Sequence, residues 1–171
     1  KEASYDEFKK IALDVKKVTD KYNVPMIIND NVELAKDIDA DGVHVGGDDM
    51  SVANARKILG DNKIIGATAR TYERAVTAVS QGADYLGIGA MFDTSTKSGT
   101  THMTKELSNK ITSYANIPVV GIGGINSENI MSLEGYGIDG VAVVSAIFKS
   151  EDIEKSAKIM KEKASKIVRE S

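Results

Sequence analysis

A chain of 171 residues with 42% hydrophobic content can build one sizeable core and is short for two ordinary domains, so we interpret residues 1–171 as a single domain. The 25 acidic residues outnumber the 22 lysines and arginines, which argues against a nucleic-acid partner. The absence of cysteine excludes disulfides and thiolate metal sites, and no apolar run reaches the ~18 residues that span a bilayer. We expect a cytoplasmic protein with neither a nucleic-acid nor a membrane partner.

The chain opens with the pattern of an amphipathic helix. Ser4 and Glu7 have the spacing of a capping box. Apolar residues then recur every three or four positions from Phe8 to Val18, which places them on one helix face. No strand is predicted ahead of this helix.

Short runs rich in β-branched residues follow, each separated from the next by turn residues and a segment of helical period. Their starts are mostly ~20 residues apart, the length of one βα unit. The predicted strands are Val24–Ile28, Val43–Val45, Lys63–Ile65, Tyr85–Ile88, Pro118–Ile122 and Val141–Val144. Asp41, Asp84 and Asp139 stand at the same place in similar turns ahead of three strands, which indicates a repeated unit.

The intervening helices carry start and stop signals. Ser51 is positioned to cap a helix that Gly60 ends, and Gly82 ends the next one. Ser127 is positioned to cap a helix after the fifth strand. The last helix is predicted from Ile153 to Val168.

Strands that are apolar on both faces and alternate with helices predict a parallel α/β sheet, either closed as a barrel or open and doubly wound. The repeated units and the absence of a Gly-x-Gly-x-x-Gly fingerprint favour a TIM-type (β/α)8 barrel. A complete barrel needs eight strands, and six are visible. Either the barrel is incomplete in this chain or the sheet is open.

Polar residues follow the predicted strands, where the working residues of parallel α/β proteins lie. Asn29 and Asp30 follow the first strand, and Asp49 follows the second. Mg²⁺ takes one or two carboxylates and completes its shell with waters and substrate phosphate oxygens. Asp30 and Asp49 therefore predict a Mg²⁺ site; the alternative is that both merely cap the helices that follow them.

A long connection follows the fourth strand. About 14 residues, from Met91 to Thr104, precede the next helix, and loops of this length are usually functional. Within it, Thr94, Thr96 and Lys97 supply donors suited to phosphate oxygens. The alternative is an ordinary solvated loop.

Glycines and a serine follow the last two strands. Gly123 and Gly124 let backbone N–H groups approach an anion ahead of a helix, and Ser145 follows one unit later. His44 and His102 are far apart in sequence, and we interpret each as structural or superficial rather than catalytic. The residues alone predict Mg²⁺-dependent handling of a small phosphorylated compound.

Seven segments at the strand ends form a specific set in order and spacing. They are Pro25–Asp30, Asp41–Gly46, Ile64–Gly66, Gly82–Gly87, Thr94–Lys97, Pro118–Ile125 and Gly140–Ile147. As a set they resemble the thiamine-phosphate synthase family over nearly the whole chain. The resemblance implies a TIM-type barrel and a transferase of thiamine biosynthesis. It would condense 4-amino-2-methyl-5-hydroxymethylpyrimidine diphosphate with 4-methyl-5-(2-hydroxyethyl)thiazole phosphate, giving thiamine phosphate and diphosphate through a pyrimidine carbocation.

The resemblance also implies roles for single residues. Asp30 and Asp49 would hold Mg²⁺, and Lys97 would be the catalytic cation on the leaving diphosphate. Thr68, where the family usually has serine, would be the catalytic hydrogen-bonding group beside the pyrimidine. The remaining substrate-binding positions implied are Lys1 and Asn29 for the pyrimidine diphosphate, and Thr94, Thr96, Gly124, Val144 and Ser145 for the thiazole phosphate.

Three departures from the family pattern stand out. Gly47 replaces a common Gln, and Asn31 replaces a frequent Arg. The family's first strand, first helix and second strand are missing, with a Gln-Leu-Arg-x-Lys motif of which only Lys1 remains. At ~20 residues per unit, we expect roughly 35–45 further residues.

Two other functions stay open. A thiazole tautomerase is a similar barrel that works without metal, but its relatives use a His after the fifth barrel strand, and Ala67–Thr71 contains none. A catalytically inactive barrel that binds a phosphorylated ligand is the second alternative. The sequence is compatible with a homo-oligomer.

Overall fold

The computed structural model describes residues 4–47, 49–93 and 102–169. One sheet contains six parallel strands, and each strand pairs with its neighbour along the chain. The strands are β1 (Ile27–Asn29), β2 (Gly42–Val45), β3 (Ile64–Thr68), β4 (Tyr85–Ile88), β5 (Val119–Ile122) and β6 (Gly140–Ala142). A doubly wound sheet reverses its strand order, whereas this one winds in a single direction and forms a half-barrel. The predicted six strands are confirmed, and the doubly wound alternative is wrong.

Helices connect the strands. They are α1 (Tyr5–Lys21), α2 (Val32–Asp37), α3 (Val52–Leu59), α4 (Tyr72–Ser80), α5 (Lys105–Tyr114), a 3-10 helix (Ile130–Leu133), α6 (Ser145–Phe148) and α7 (Ile153–Ala164). The capping box at Ser4 and the cap at Ser51 are confirmed. Within the ranges that the structure describes, none of the helices is both long and apolar enough to cross a membrane.

The segment after β5 differs from its prediction. Ser127 does not cap a regular helix there, because the following turn is a 3-10 helix without a side-chain cap. Asn126 and Asn129 instead hold the segment: the Asn126 side chain accepts from the Asn129 backbone N–H, and the Asn129 side chain accepts from the Asn126 backbone N–H. Asparagine competes well for local backbone bonds, which favours such a turn over a helix.

The two faces of the sheet differ in chemistry. Successive side chains of a strand point to opposite faces. One face carries fully buried apolar residues, among them Val43, Ile65, Leu86 and Val119. The other face forms the concave interior of the half-barrel and carries polar residues and glycines at the matching positions. They are Asn29, His44, Gly66, Thr68, Tyr85 and Gly87.

The repeated aspartates join neighbouring strands. The Asp84 carboxylate accepts a hydrogen bond from the Ile65 N–H at 2.7 Å, and the Asp84 N–H donates to the Ile65 carbonyl at 2.8 Å. The same reciprocal pair joins Asp41 to Met26 and Asp139 to Val119. The repeat in the sequence therefore corresponds to a repeated pair of hydrogen bonds at the amino ends of the strands, which we call the aspartate fastener. It determines which residues of neighbouring strands lie side by side.

Asp84→Ala tests this fastener. The substitution leaves the buried Ile65 N–H without its acceptor and removes the partner of the Arg56 guanidinium, which lies 2.6 Å from Asp84 Oδ2. A buried donor left unsatisfied costs about 1–3 kcal/mol, so we expect urea titration to show a free energy of unfolding about 2–3 kcal/mol lower. Asp61→Ala, at an exposed turn, is the control and should change it by less than about 0.5 kcal/mol. Equal losses in both variants would contradict the fastener.

Candidate functional site at the carboxyl ends of the strands

Asp30 and Asp49 face one point at the rim of the sheet. The Asp30 N–H donates to the His44 carbonyl at 2.8 Å, just beyond the end of β1, and the Asp49 carboxylate accepts from the Gly46 N–H at 2.7 Å. A Cβ atom built on Gly46 would lie 2.5 Å from Asp49 Oδ2 and 4.0 Å from Asp30 Oδ1. The structure therefore brings together the two carboxylates that the sequence singled out.

The capping alternative for these aspartates is wrong. The Asn31 side chain caps α2 by accepting from the Leu34 N–H at 2.9 Å, and Ser51 caps α3. Asp30 has a φ of 66°, in the left-handed region that few non-glycine residues occupy. Such conformations cluster at functional sites, where the surrounding structure sustains their cost.

The donor set fits a hard divalent cation. Among the residues that the structure describes, no group of three or more His, Cys, Asp or Glu side chains is arranged to hold a metal ion. Mg²⁺ does not need such a cage, because one or two carboxylates suffice when a substrate phosphate supplies further oxygens. Asp30 and Asp49 supply that number of carboxylates beside each other.

A row of side chains crosses the concave face below this rim. Asn29 pairs in register with His44, His44 with Gly66, and Gly66 with Tyr85. His44 Nδ1 lies 3.0 Å from the Tyr85 hydroxyl, and His44 Nε2 lies 2.9 Å from Thr68 Oγ1. The sequence analysis did not anticipate that His44 contacts the predicted catalytic threonine. The alternation of Val43, His44 and Val45 was the available signal, since it places His44 on the face opposite the valines.

Burial sets the protonation of this row. Desolvation lowers the pKa of His44, and the negative charges of Asp30 and Asp49 oppose that shift without cancelling it. Burial also raises the pKa of Tyr85, which keeps its hydroxyl protonated. At neutral pH the His44 imidazole is therefore neutral, with one nitrogen donating and the other accepting.

The predicted thiazole-phosphate positions lie at the carboxyl ends of β5 and β6. Gly124 has a φ of 68°, and a Cβ there would lie 2.4 Å from the Asp93 carbonyl oxygen. Only glycine accommodates both the positive φ and that close approach. Val144 directly precedes α6, and Ser145 begins it. Since β5 and β6 are adjacent, these groups share one part of the rim.

Arg74 explains the departure at Gly47. The Arg74 guanidinium on α4 donates to the Gly47 carbonyl at 2.9 Å. A Cβ on Gly47 would lie 2.2 Å from the same guanidinium nitrogen. The absence of a side chain at Gly47 thus leaves room for the Arg74 guanidinium of α4.

The remaining predicted positions lie outside the described residues. They are Lys1, Thr94, Thr96 and Lys97. The structure consequently places Asn29, Asp30, Asp49, Thr68, Gly124, Val144 and Ser145 at strand ends or directly after them and leaves those four as predictions.

Comparison with known proteins identifies similar chains. Residues 1–147 match a family model described as thiamine monophosphate synthase. The thiamine-phosphate synthase of Ruminiclostridium cellulolyticum is 51% identical over 157 residues, covering 92% of this chain and 75% of that protein. The thiamine-phosphate synthase of Clostridium botulinum is 47% identical over 167 residues, covering 98% of this chain and 78% of that protein.

Solved structures are similar as well. A thiamine phosphate pyrophosphorylase from Pyrococcus furiosus superimposes with a TM-score of 0.88 at 35% identity, covering 99% of this chain and 81% of that one. KGPDC from Streptococcus mutans matches with a TM-score of 0.72 at 14% identity over 93% of this chain, a likeness of fold alone.

The protonation of His44 is directly measurable. Its folded-state pKa is lowered, so the unfolded chain binds this proton more tightly and the free energy of unfolding falls as the pH drops below about 6.5. We expect an NMR titration of the His44 imidazole to give a midpoint below about 6.5. His44→Gln should reduce the loss of stability between pH 7.5 and 5.5. A midpoint above the ordinary value would contradict this interpretation.

Proposed function

Because the chain belongs to the thiamine monophosphate synthase family, we propose that its strand ends join a pyrimidine diphosphate to a thiazole phosphate with the help of Mg²⁺. Its activity is that of a thiamine-phosphate synthase, a transferase of thiamine biosynthesis. The observation that carries the site assignment is that Asp30 and Asp49 face the same point beside Gly46.

Asp30 and Asp49 would hold the metal. The ion, when bound, neutralises charge that develops on the departing diphosphate. Their oxygen-only chemistry and their position beside Gly46 support this assignment. Asn29, the last residue of β1, lies next to Asp30 and would bind the same pyrimidine diphosphate.

Lys97 would place a second positive charge against the leaving diphosphate. Preorganised charge aimed at the group where charge develops is a large contribution to catalysis. Lys1 would add to that binding. Both roles are taken from the family motif, and both residues lie outside the described ranges.

The two organic rings would be held at different strands. Thr68 at the end of β3 would hydrogen-bond the pyrimidine, and its contact with His44 places the hydroxyl on the concave face. Thr94, Thr96, Gly124, Val144 and Ser145 would bind the thiazole phosphate. The positive φ of Gly124 and its proximity to the Asp93 carbonyl support a glycine-specific backbone arrangement there.

The reaction would proceed by dissociation. The C–O bond to the diphosphate breaks first, the pyrimidine carbocation is stabilised by its ring, and the thiazole nitrogen then forms the new C–N bond. We further propose that the six strands belong to a closed eight-stranded barrel whose first βα unit and second strand are not among the described elements. A cytoplasmic location and a homo-oligomeric assembly stay predictions.

Metal dependence tests this function. Thiamine phosphate should form from both substrates with Mg²⁺ and should not form in EDTA. Asp30→Asn and Asp49→Asn keep the side-chain shape but remove the charge, so each should lower kcat by about a hundredfold and raise the Mg²⁺ concentration needed for half-maximal rate. Asp61→Asn, at an exposed turn, should behave as the unmodified protein. Full turnover in EDTA would contradict the mechanism, and thiazole isomerisation alone would favour a tautomerase.

Lys97→Ala tests the proposed cation separately. If Lys97 stabilises the leaving diphosphate, the substitution should lower kcat by about a hundredfold or more, measured by single-turnover formation of diphosphate. Lys57→Ala, on the exposed surface of α3, is the matched control and should leave the rate unchanged. Equal rates for both variants would remove Lys97 from the mechanism.

A further inference from the structure

Three polar side chains on adjacent strands form a continuous chain on the concave face. Thr68 Oγ1 lies 2.9 Å from His44 Nε2, and His44 Nδ1 lies 3.0 Å from the Tyr85 hydroxyl. The His44 and Tyr85 rings also contact each other, with centroids 5.4 Å apart. We call this Thr68–His44–Tyr85 set the interior relay.

Two glycines make room for the relay. His44 and Tyr85 are the register neighbours of Gly66 on its two sides. A Cβ on Gly66 would lie 2.1 Å from Tyr85 Cζ, so any other residue would push the Tyr85 ring aside. Gly87 pairs in register with Thr68, and a Cβ there would lie 3.1 Å from His44 Cε1. The contacts of the His44 imidazole with Tyr85 and Thr68 therefore depend on glycine at positions 66 and 87.

The donors and acceptors of the His44 imidazole limit the relay to two hydrogen-bonding arrangements. A neutral imidazole has one donor and one acceptor, and both nitrogens lie within hydrogen-bonding distance of a hydroxyl. When Tyr85 donates to Nδ1, Nε2–H donates to Thr68 and leaves the Thr68 proton for a ligand. In the other tautomer, Thr68 donates to Nε2 and leaves its oxygen as an acceptor. In either tautomer, the contact with His44 restricts the rotation of the Thr68 hydroxyl.

A threonine without this partner would have a freely rotating hydroxyl. A ligand would then have to order that hydroxyl on binding, at an entropic cost that a preorganised site avoids. His44 lies on β2, between β1, which ends beside Asp30, and β3, which carries the hydroxyl that would meet the pyrimidine.

We infer that His44, held by Tyr85, is a positioning residue that orients the Thr68 hydroxyl toward the pyrimidine of the diphosphate substrate. This inference rests on the proposed function, in which Thr68 is the group that touches the ring. His44 acts only through Thr68, so its removal should matter only while the Thr68 hydroxyl is present.

A double-mutant cycle in the full chain tests this dependence. Thr68→Val and His44→Leu each should lower kcat/KM for the pyrimidine diphosphate by at least about tenfold, since misplacement of a positioned group costs that much or more. The KM for thiazole phosphate should stay unchanged in both. The double variant should be no slower than Thr68→Val alone, because the two groups act as one unit. His44→Gln, which retains an amide near the Nε2 position, should restore most of the activity.

Tyr85→Phe gives a second cycle if His44→Leu fails to fold. Removing only the Tyr85 hydroxyl should lower the same kcat/KM, and this effect should also vanish in the Thr68→Val background. Tyr72→Phe is its matched control, because that ring packs edge-to-face against Tyr114 on the helices and should leave the rate unchanged.

The outcomes separate the two claims. The relay would be overturned if the losses in kcat/KM multiply in the double variant, or if the KM for thiazole phosphate rises. Either result would leave the synthase assignment intact. No loss in Thr68→Val would contradict the proposed site itself and the relay with it.

Discussion

The register between neighbouring parallel strands determines everything that meets at the carboxyl rim. These strands are three to five residues long, and a shift of one residue would turn every side chain to the opposite face. Asp84 and its two repeats prevent such a shift, because each exchanges two backbone-directed hydrogen bonds with the preceding strand. With this register, Asn29, His44 and Tyr85 lie in one row across β1, β2 and β4.

Charge is divided across the proposed site in a way that would suit the departure of diphosphate. Asp30 and Asp49 concentrate negative charge at one point beside Gly46, where the proposed divalent cation would allow an anionic substrate to approach. The neutral His44 imidazole lies close enough to that point for both carboxylates to act on its pKa, and its partners Thr68 and Tyr85 are uncharged. The Arg74 guanidinium of α4 donates to the Gly47 carbonyl and adds a positive charge beside the same loop.

The fold was largely predictable from sequence, because β-branched runs at regular spacing and glycine stops are local signals. The rim aspartates were predictable too, since residues after parallel strands gather at one edge. The sequence did not show which of several neighbouring polar side chains would bond to the backbone. Asn31 rather than Asp30 caps α2, and the Asn126–Asn129 pair replaces a regular helix start. The relay was not predicted because it needs the register of three strands and the space that Gly66 leaves for the Tyr85 ring, and the sequence of one strand reveals neither.

A crystal structure with thiamine phosphate, diphosphate and Mg²⁺ would test the central claim most directly. The account predicts the metal ion on the Asp30 and Asp49 carboxylates, the diphosphate bound to that ion, and the pyrimidine ring against the Thr68 hydroxyl. Products bound away from that rim, or a metal ion held by other side chains, would contradict it.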